Sequence, residues 1–302
     1  MMSWVKYFQT FVLESDGKKM DVKTIAVIGA GQMGQGIAQQ AATTGFTVWI
    51  ADQNQEIVQS AIQKISKQLD KLVEKQKMTA DERMKVLAHL KPASSYADLK
   101  NVDLVIEAVS ENLSLKKKIW QELDQIVKAE ALFASNTSSI SITELAAVTK
   151  RPTQFAGMHF MNPVPIMKLI EGIRGIQTSD ETFAAIRVAG EKMGKVFVGV
   201  GDFPGFAINR ILMPMINEAV YVLYEGVASV EDIDTLMKLG TNQPMGPLAL
   251  ADFIGLDTCL AIMKVLQDGL GDSKYRPCPL LKQYVAAGWL GKKSKKGFYT
   301  YE

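Results

Sequence analysis

The chain has 302 residues, 47% hydrophobic and 22% charged, with a formal net charge of +2. That length suits two domains, and the charge is too small to select for nucleic acid or a membrane surface. Two cysteines without a CxxC spacing and two histidines leave no metal site and no disulfide framework, as expected in a reducing cytoplasm. No apolar run is long enough to span a bilayer.

Residues 1–20 read as an N-terminal extension. Its mildly apolar start is followed by charge over residues 14–19 rather than by a small-residue cleavage site, which argues against a signal peptide. Residues 23–29 then form a continuous apolar run of the kind buried on both faces of a parallel sheet. A helix is expected over 33–44 and a second strand over 46–51. A long polar, Lys/Gln-rich helical insertion is expected from 56 to 90. Further strands are expected at 102–107 and 131–135, with helices at 115–127 and 142–148. The apolar run around His159, the run ending at Glu171 and the run 196–200 complete the sheet. Alternating strands and helices imply an α/β, doubly wound Rossmann-type sheet, mostly parallel, over residues 21–202.

The character changes at Gly201-Asp202-Phe203-Pro204-Gly205. Residues 203–302 read as an all-α domain, with Pro204 in the first turn of a long helix. Residues 208–225 are apolar nearly all round, so that helix should be covered by the other domain or another subunit, most simply in a two-fold homodimer.

Gly29-Ala30-Gly31-Gln32-Met33-Gly34 follows the first strand and opens a helix. The glycines permit a tight turn and close approach to a pyrophosphate, and the helix N-terminus offers free N–H groups to it. Asp52 ends the second strand about 20 residues on, where a carboxylate receives ribose hydroxyls. It would repel a 2′-phosphate, so NAD is favoured over NADP; a helix-capping role is the lesser alternative for Asp52.

Glu111 and Lys116 leave the third strand at the ligand-binding edge, although a solvated ion pair is an equal reading. Ser135-Asn136-Thr137-Ser138-Ser139 could cap a helix or bind a ligand. Asn209 sits among apolar neighbours and needs a partner if buried, either backbone or a substrate oxygen. His159 is followed by a loop holding Pro163 and Pro165, and then by Glu171. The loop can bring the carboxylate to the imidazole, making a general base; a satisfied core histidine is the alternative. His89 reads as a surface residue. Lys64, Lys67, Lys71, Lys75 and Lys77 read as a solvated face, or as partners of a phosphate-rich ligand tail.

Together, these motifs resemble the 3-hydroxyacyl-CoA dehydrogenase family, most closely its bacterial 3-hydroxybutyryl-CoA branch. The resemblance runs from about residue 23 to the end. It includes Phe155-Ala-Gly-Met-His-Phe-Met-Asn-Pro163, Asp202-Phe-Pro-Gly-Phe-Ala-Ile-Asn-Arg210, Gln243-Pro-Met-Gly-Pro247 and Gly297-Phe-Tyr299. It implies an NAD-dependent oxidoreductase of fatty-acid and butanoate metabolism acting on acyl-CoA. His159 would be the general base and Glu171 its orienting carboxylate, while Ser138 and Asn209 would bind the reacting end of the acyl chain. Glu111, Lys116, Ser138, Asn162 and Lys293 would join the glycine turn in holding the cofactor. The helical insertion would meet the CoA moiety, with Lys75 as a candidate contact. Two rivals remain: a sugar-acid dehydrogenase on the same fold, as in the lambda-crystallin branch, and a catalytically silent structural protein.

Overall fold

The structure is a computed structural model that describes residues 21–302; the expected N-terminal extension lies outside the described residues. Eight strands form one sheet: β1 (Thr24–Ile28), β2 (Thr47–Ala51), β3 (Leu90–Pro92), β4 (Leu104–Glu107), β5 (Leu132–Ser135), β6 (Phe155–Phe160), β7 (Leu169–Arg174) and β8 (Val196–Gly201). Their spatial order is β3-β2-β1-β4-β5-β6-β7-β8. Every pair is parallel except β6 with β7. In β1, Ile25 and Val27 face one buried cluster while Ala26 and Ile28 face another, so both faces of the sheet are covered. This burial on both sides explains why the strand reads as an unbroken apolar run.

Helices α1 (Gln32–Thr43), α4 (Leu113–Ile126) and α5 (Ile142–Ala146) lie near their expected positions. The insertion differs from expectation. It is two helices, α2 (Gln55–Glu74) and α3 (Ala80–His89), followed by the short strand β3. Gln76 takes a left-handed backbone (φ 54°), and Thr79 and Glu82 form a capping box that starts α3 afresh. Pro92 closes β3 at the sheet edge, where its missing N–H costs no ladder bond. Helix α6 (Asp180–Lys192), capped by the Ser179 side chain, was not expected from the sequence.

Beyond β8 the described residues form helices α7 (Ile208–Tyr224), α8 (Val230–Gly240), α9 (Pro247–Ile254), α10 (Leu256–Leu270) and α11 (Pro279–Ala286), with their own buried cluster. Pro204 lies in the turn before α7 rather than in its first turn. Nor do the described residues cover α7 on all sides: Met213, Ile216 and Val220 are buried, but Ile211 is 74% exposed among them. Buried Asp252 fastens the C-terminal segment by accepting from the Phe298 and Tyr299 amides and the Tyr301 hydroxyl. Among the described residues, no helix is long and apolar enough to cross a membrane.

Candidate active site

The glycine turn joins β1 to α1. Gly29 has φ 101°, and a Cβ there would lie 2.6 Å from the Ala108 carbonyl oxygen; one on Gly34 would lie 1.8 Å from that of Gly29. Both positions therefore require glycine. A Cβ on Gly31 would meet nothing, and this residue caps α1 without a side-chain hydrogen bond or an acid in the first turn. The N-terminus of α1 is thus open to an anion, and a dinucleotide pyrophosphate fits it. Asp52 Oδ2 accepts from the Ala30 amide at 2.7 Å, and Oδ1 accepts from the Gln53 amide at 2.7 Å. Asp52 therefore does not cap a helix, since α2 is capped by Asn54; it braces the turn instead, and its remaining lone pairs suit a ribose. Gln32 Nε2 donates to Asn162 Oδ1 at 3.2 Å, which draws the loop after β6 against the turn.

The ends of β4 and β5 carry a second cluster. Lys116 is 1% exposed, and its ammonium lies 2.6 Å from Glu107 and 3.2 Å from Glu111. A solvated ion pair is therefore the wrong description of Lys116. Ser135 Oγ donates to the other Glu107 oxygen at 2.7 Å, which satisfies both acceptors of a fully buried carboxylate. Glu111 accepts from the Ser138 amide at 2.8 Å and from its hydroxyl at 3.1 Å. Partial burial pushes the Glu111 carboxyl up, but the Lys116 ammonium and the bonds from Thr137 and Ser138 outweigh this and hold its pKa below the ordinary value. Asn209 Nδ2 donates to the Ser138 carbonyl at 3.2 Å, so Ser138 links the sheet to α7. That bond matches the backbone-partner reading of Asn209 and leaves its Oδ1 for a further donor.

His159 and Glu171 are direct partners across the antiparallel β6–β7 pair. Glu171 lies inside β7, not at the end of its run as expected. The His159 Nδ1 to Glu171 Oε2 distance is 2.8 Å, with the two residues 9% and 2% exposed. A carboxylate accepts, so Nδ1 carries the proton and Nε2 keeps its lone pair. Glu171 Oε1 accepts from the Ala207 and Ile208 amides at 3.2 and 3.0 Å. Asn136 Oδ1 accepts from the Phe160 amide at 2.9 Å and so fixes the strand end beside His159.

Two expected residues lie apart from these clusters. Lys293 pairs with Asp257 in the helical domain, and none of its hydrogen bonds reaches the glycine turn. Lys75 is the exposed C-cap of α2, on the same solvated side as Lys64, Lys67, Lys71 and Lys77. Sequence reasoning did not single out Glu107 or the α7 amides, and Asn136 entered only as a member of the polar cluster after β5.

Residues 24–203 match the family described as "3-hydroxyacyl-CoA dehydrogenase, NAD binding domain", and residues 205–301 match its C-terminal domain. The chain is 57% identical over 283 residues to the "Probable 3-hydroxybutyryl-CoA dehydrogenase" of Bacillus subtilis (94% of this chain, 99% of the relative). It is 42% identical over 296 residues to the mitochondrial hydroxyacyl-coenzyme A dehydrogenase of Rattus norvegicus (94% and 93%). The crystal structure of (S)-3-hydroxybutyryl-CoA dehydrogenase from Ralstonia eutropha superposes with a TM-score of 0.92 at 52% identity, covering 93% of this chain and 100% of that one. The chain belongs to the 3-hydroxyacyl-CoA dehydrogenase family, whose cofactor is NAD.

Proposed function

We propose that His159 and Glu171 are the proton-transfer pair with which this NAD-dependent dehydrogenase interconverts (S)-3-hydroxyacyl-CoA and 3-ketoacyl-CoA, with 3-hydroxybutyryl-CoA as its substrate. One observation carries the assignment: Glu171 holds Nδ1 of a nearly buried imidazole, which leaves Nε2 as the free base. His159 Nε2 takes the C3 hydroxyl proton in oxidation and returns it in reduction. Glu171 fixes the tautomer and stabilises the imidazolium formed. Ser138 and Asn209 orient the reacting end of the acyl chain. Residues 29–34 would hold the pyrophosphate and Asp52 the ribose, while Glu111, Lys116 and Asn162 would line the rest of the cofactor site. Bound NAD supplies the hydride acceptor.

The purified full chain should oxidise NADH with acetoacetyl-CoA and show no turnover with gulonate and NAD. Turnover of gulonate without acetoacetyl-CoA would overturn the substrate assignment. We further place the enzyme in the cytoplasm as a two-fold homodimer. Buried, unpaired Cys259 and Cys278 and the uncovered Ile211 on α7 support that reading. Light scattering of the eluted protein tests the dimer, and a monomeric mass would overturn it.

A further inference from the structure

We propose that Phe206 is a positioning residue for the His159–Glu171 pair: its backbone aims the first amides of α7 at the carboxylate, and its ring walls the imidazole. This inference rests on the proton-transfer role given to His159. Helix α7 has no side-chain cap and no acid in its own first turn. Helices α1, α9, α10 and α11 also lack a side-chain cap, whereas α2, α4, α6 and α8 are capped by Asn54, Asn112, Ser179 and Ser229. The cap of α7 comes from the sheet instead. Glu171 Oε1 accepts the Ala207 and Ile208 amides, so the catalytic carboxylate is also a helix cap.

The chain reaches that geometry through two left-handed residues, Gly205 (φ 71°) and Phe206 (φ 52°). Glycine takes this conformation freely, but a bulky side chain resists it. The Phe206 amide donates to the Phe203 carbonyl at 2.8 Å, closing the turn. Phe206 is 3% exposed, and its ring is centred 6.0 Å from the His159 ring. Burial of the ring against the pair offsets the backbone cost, and a glycine at this position would leave the imidazole without that wall.

Three variants separate backbone from ring. Phe206→Tyr keeps both, Phe206→Gly keeps the left-handed backbone without a ring, and Phe206→Val resists that backbone and lacks the ring. We expect kcat to fall about tenfold in Phe206→Gly and about a hundredfold in Phe206→Val, with KM for NAD changed less than about twofold. Phe206→Tyr should remain near wild type. A second readout follows the pair directly. The chain has two histidines, so 15N-histidine NMR with a His89→Gln reference isolates His159. Its Nδ1–H signal should persist in Phe206→Tyr, weaken in Phe206→Gly and vanish in Phe206→Val. Wild-type kcat and an intact signal in Phe206→Gly would overturn the inference even if Phe206→Val fails to fold. Normal turnover of His159→Gln would instead overturn the base assignment, while the NMR series would still read the positioning.

Discussion

Glu171 stands opposite His159 across the β6–β7 ladder and divides its two oxygens between the sheet and the helical domain. Oε2 meets the imidazole at 2.8 Å, while Oε1 accepts the Ala207 and Ile208 amides. The imidazole is thus oriented by a carboxylate that is itself held from both domains. Removing the imidazole should remove positioned proton transfer. His159→Gln should therefore lower kcat by roughly a hundred- to ten-thousandfold, while the Kd for NADH, measured by fluorescence titration, stays close to wild type. Turnover near wild type would end the assignment.

Glu171→Gln keeps the shape but loses the charge that, on the proposed role, assists proton transfer at His159. Turnover in hydroxyacyl oxidation should then fall, and the pH–rate profile should no longer coincide with that of the wild type. The measurement is a full pH–rate profile of both proteins. Coincident limbs would mean that the carboxylate does not act on the base.

Asp52 has two tasks with separable signatures, since Oδ2 braces the Ala30 amide while the carboxylate charge would exclude a 2′-phosphate. Asp52→Arg should raise the NADP/NAD ratio of kcat/KM. Asp52→Ala should weaken binding of both cofactors, because it also frees the glycine turn. An unchanged ratio in Asp52→Arg would remove Asp52 from the ribose site.

Lys116 and Glu107 form a buried pair at 2.6 Å, with side-chain exposures of 1% and 0%. Deleting one member of such a pair leaves an uncompensated charge in the core. Lys116→Met should therefore cost roughly 3–5 kcal/mol of unfolding free energy, read from urea melts. Adding Glu107→Leu should recover a large part of that loss. A Lys116→Met melt matching wild type would mean that Glu107 is satisfied by Ser135 and backbone alone.

Local patterns made most of this architecture legible before the fold was known. The β1 run, the GAGQMG turn and Asp52 identify themselves because strand period, glycine spacing and position in a βαβ unit are read within a few dozen residues. The break between α2 and α3 was also local, in Thr79 and Glu82, but a polar helical rhythm on both sides concealed it. Glu171 was placed at the end of its strand because Glu in an apolar run looks like a terminus. Only the non-local pairing with β6 gives it a reason to lie inside. The capping of α7 by Glu171 was out of reach for the same reason: the helix and its cap are 36 or more residues apart. The burial of Lys116 likewise depends on β4 and β5 meeting around it, which no window of sequence contains.

Asp103 offers a test of pH-dependent stability away from the site, since it precedes β4 at the end of the sheet opposite the glycine turn. Its carboxylate accepts from the Lys128 ammonium, the Lys23 and Thr24 amides and the Thr24 hydroxyl. Partial burial pushes its pKa up, but these bonds prevail and lower it from 3.8 to about 2. A folded-state pKa below the unfolded one means that the unfolded chain binds the proton first. The stabilisation is therefore complete above the unfolded value of 3.8 and is lost as pH falls through about 2. Asp103→Asn should lower the urea midpoint at neutral pH, and the gap to wild type should close as pH drops across that window. Turnover with acetoacetyl-CoA should stay at the wild-type level, because no bond of Asp103 reaches the His159 or glycine-turn clusters. A gap that persists unchanged from neutral pH to pH about 2 would show that the carboxylate's charge contributes nothing to the fold.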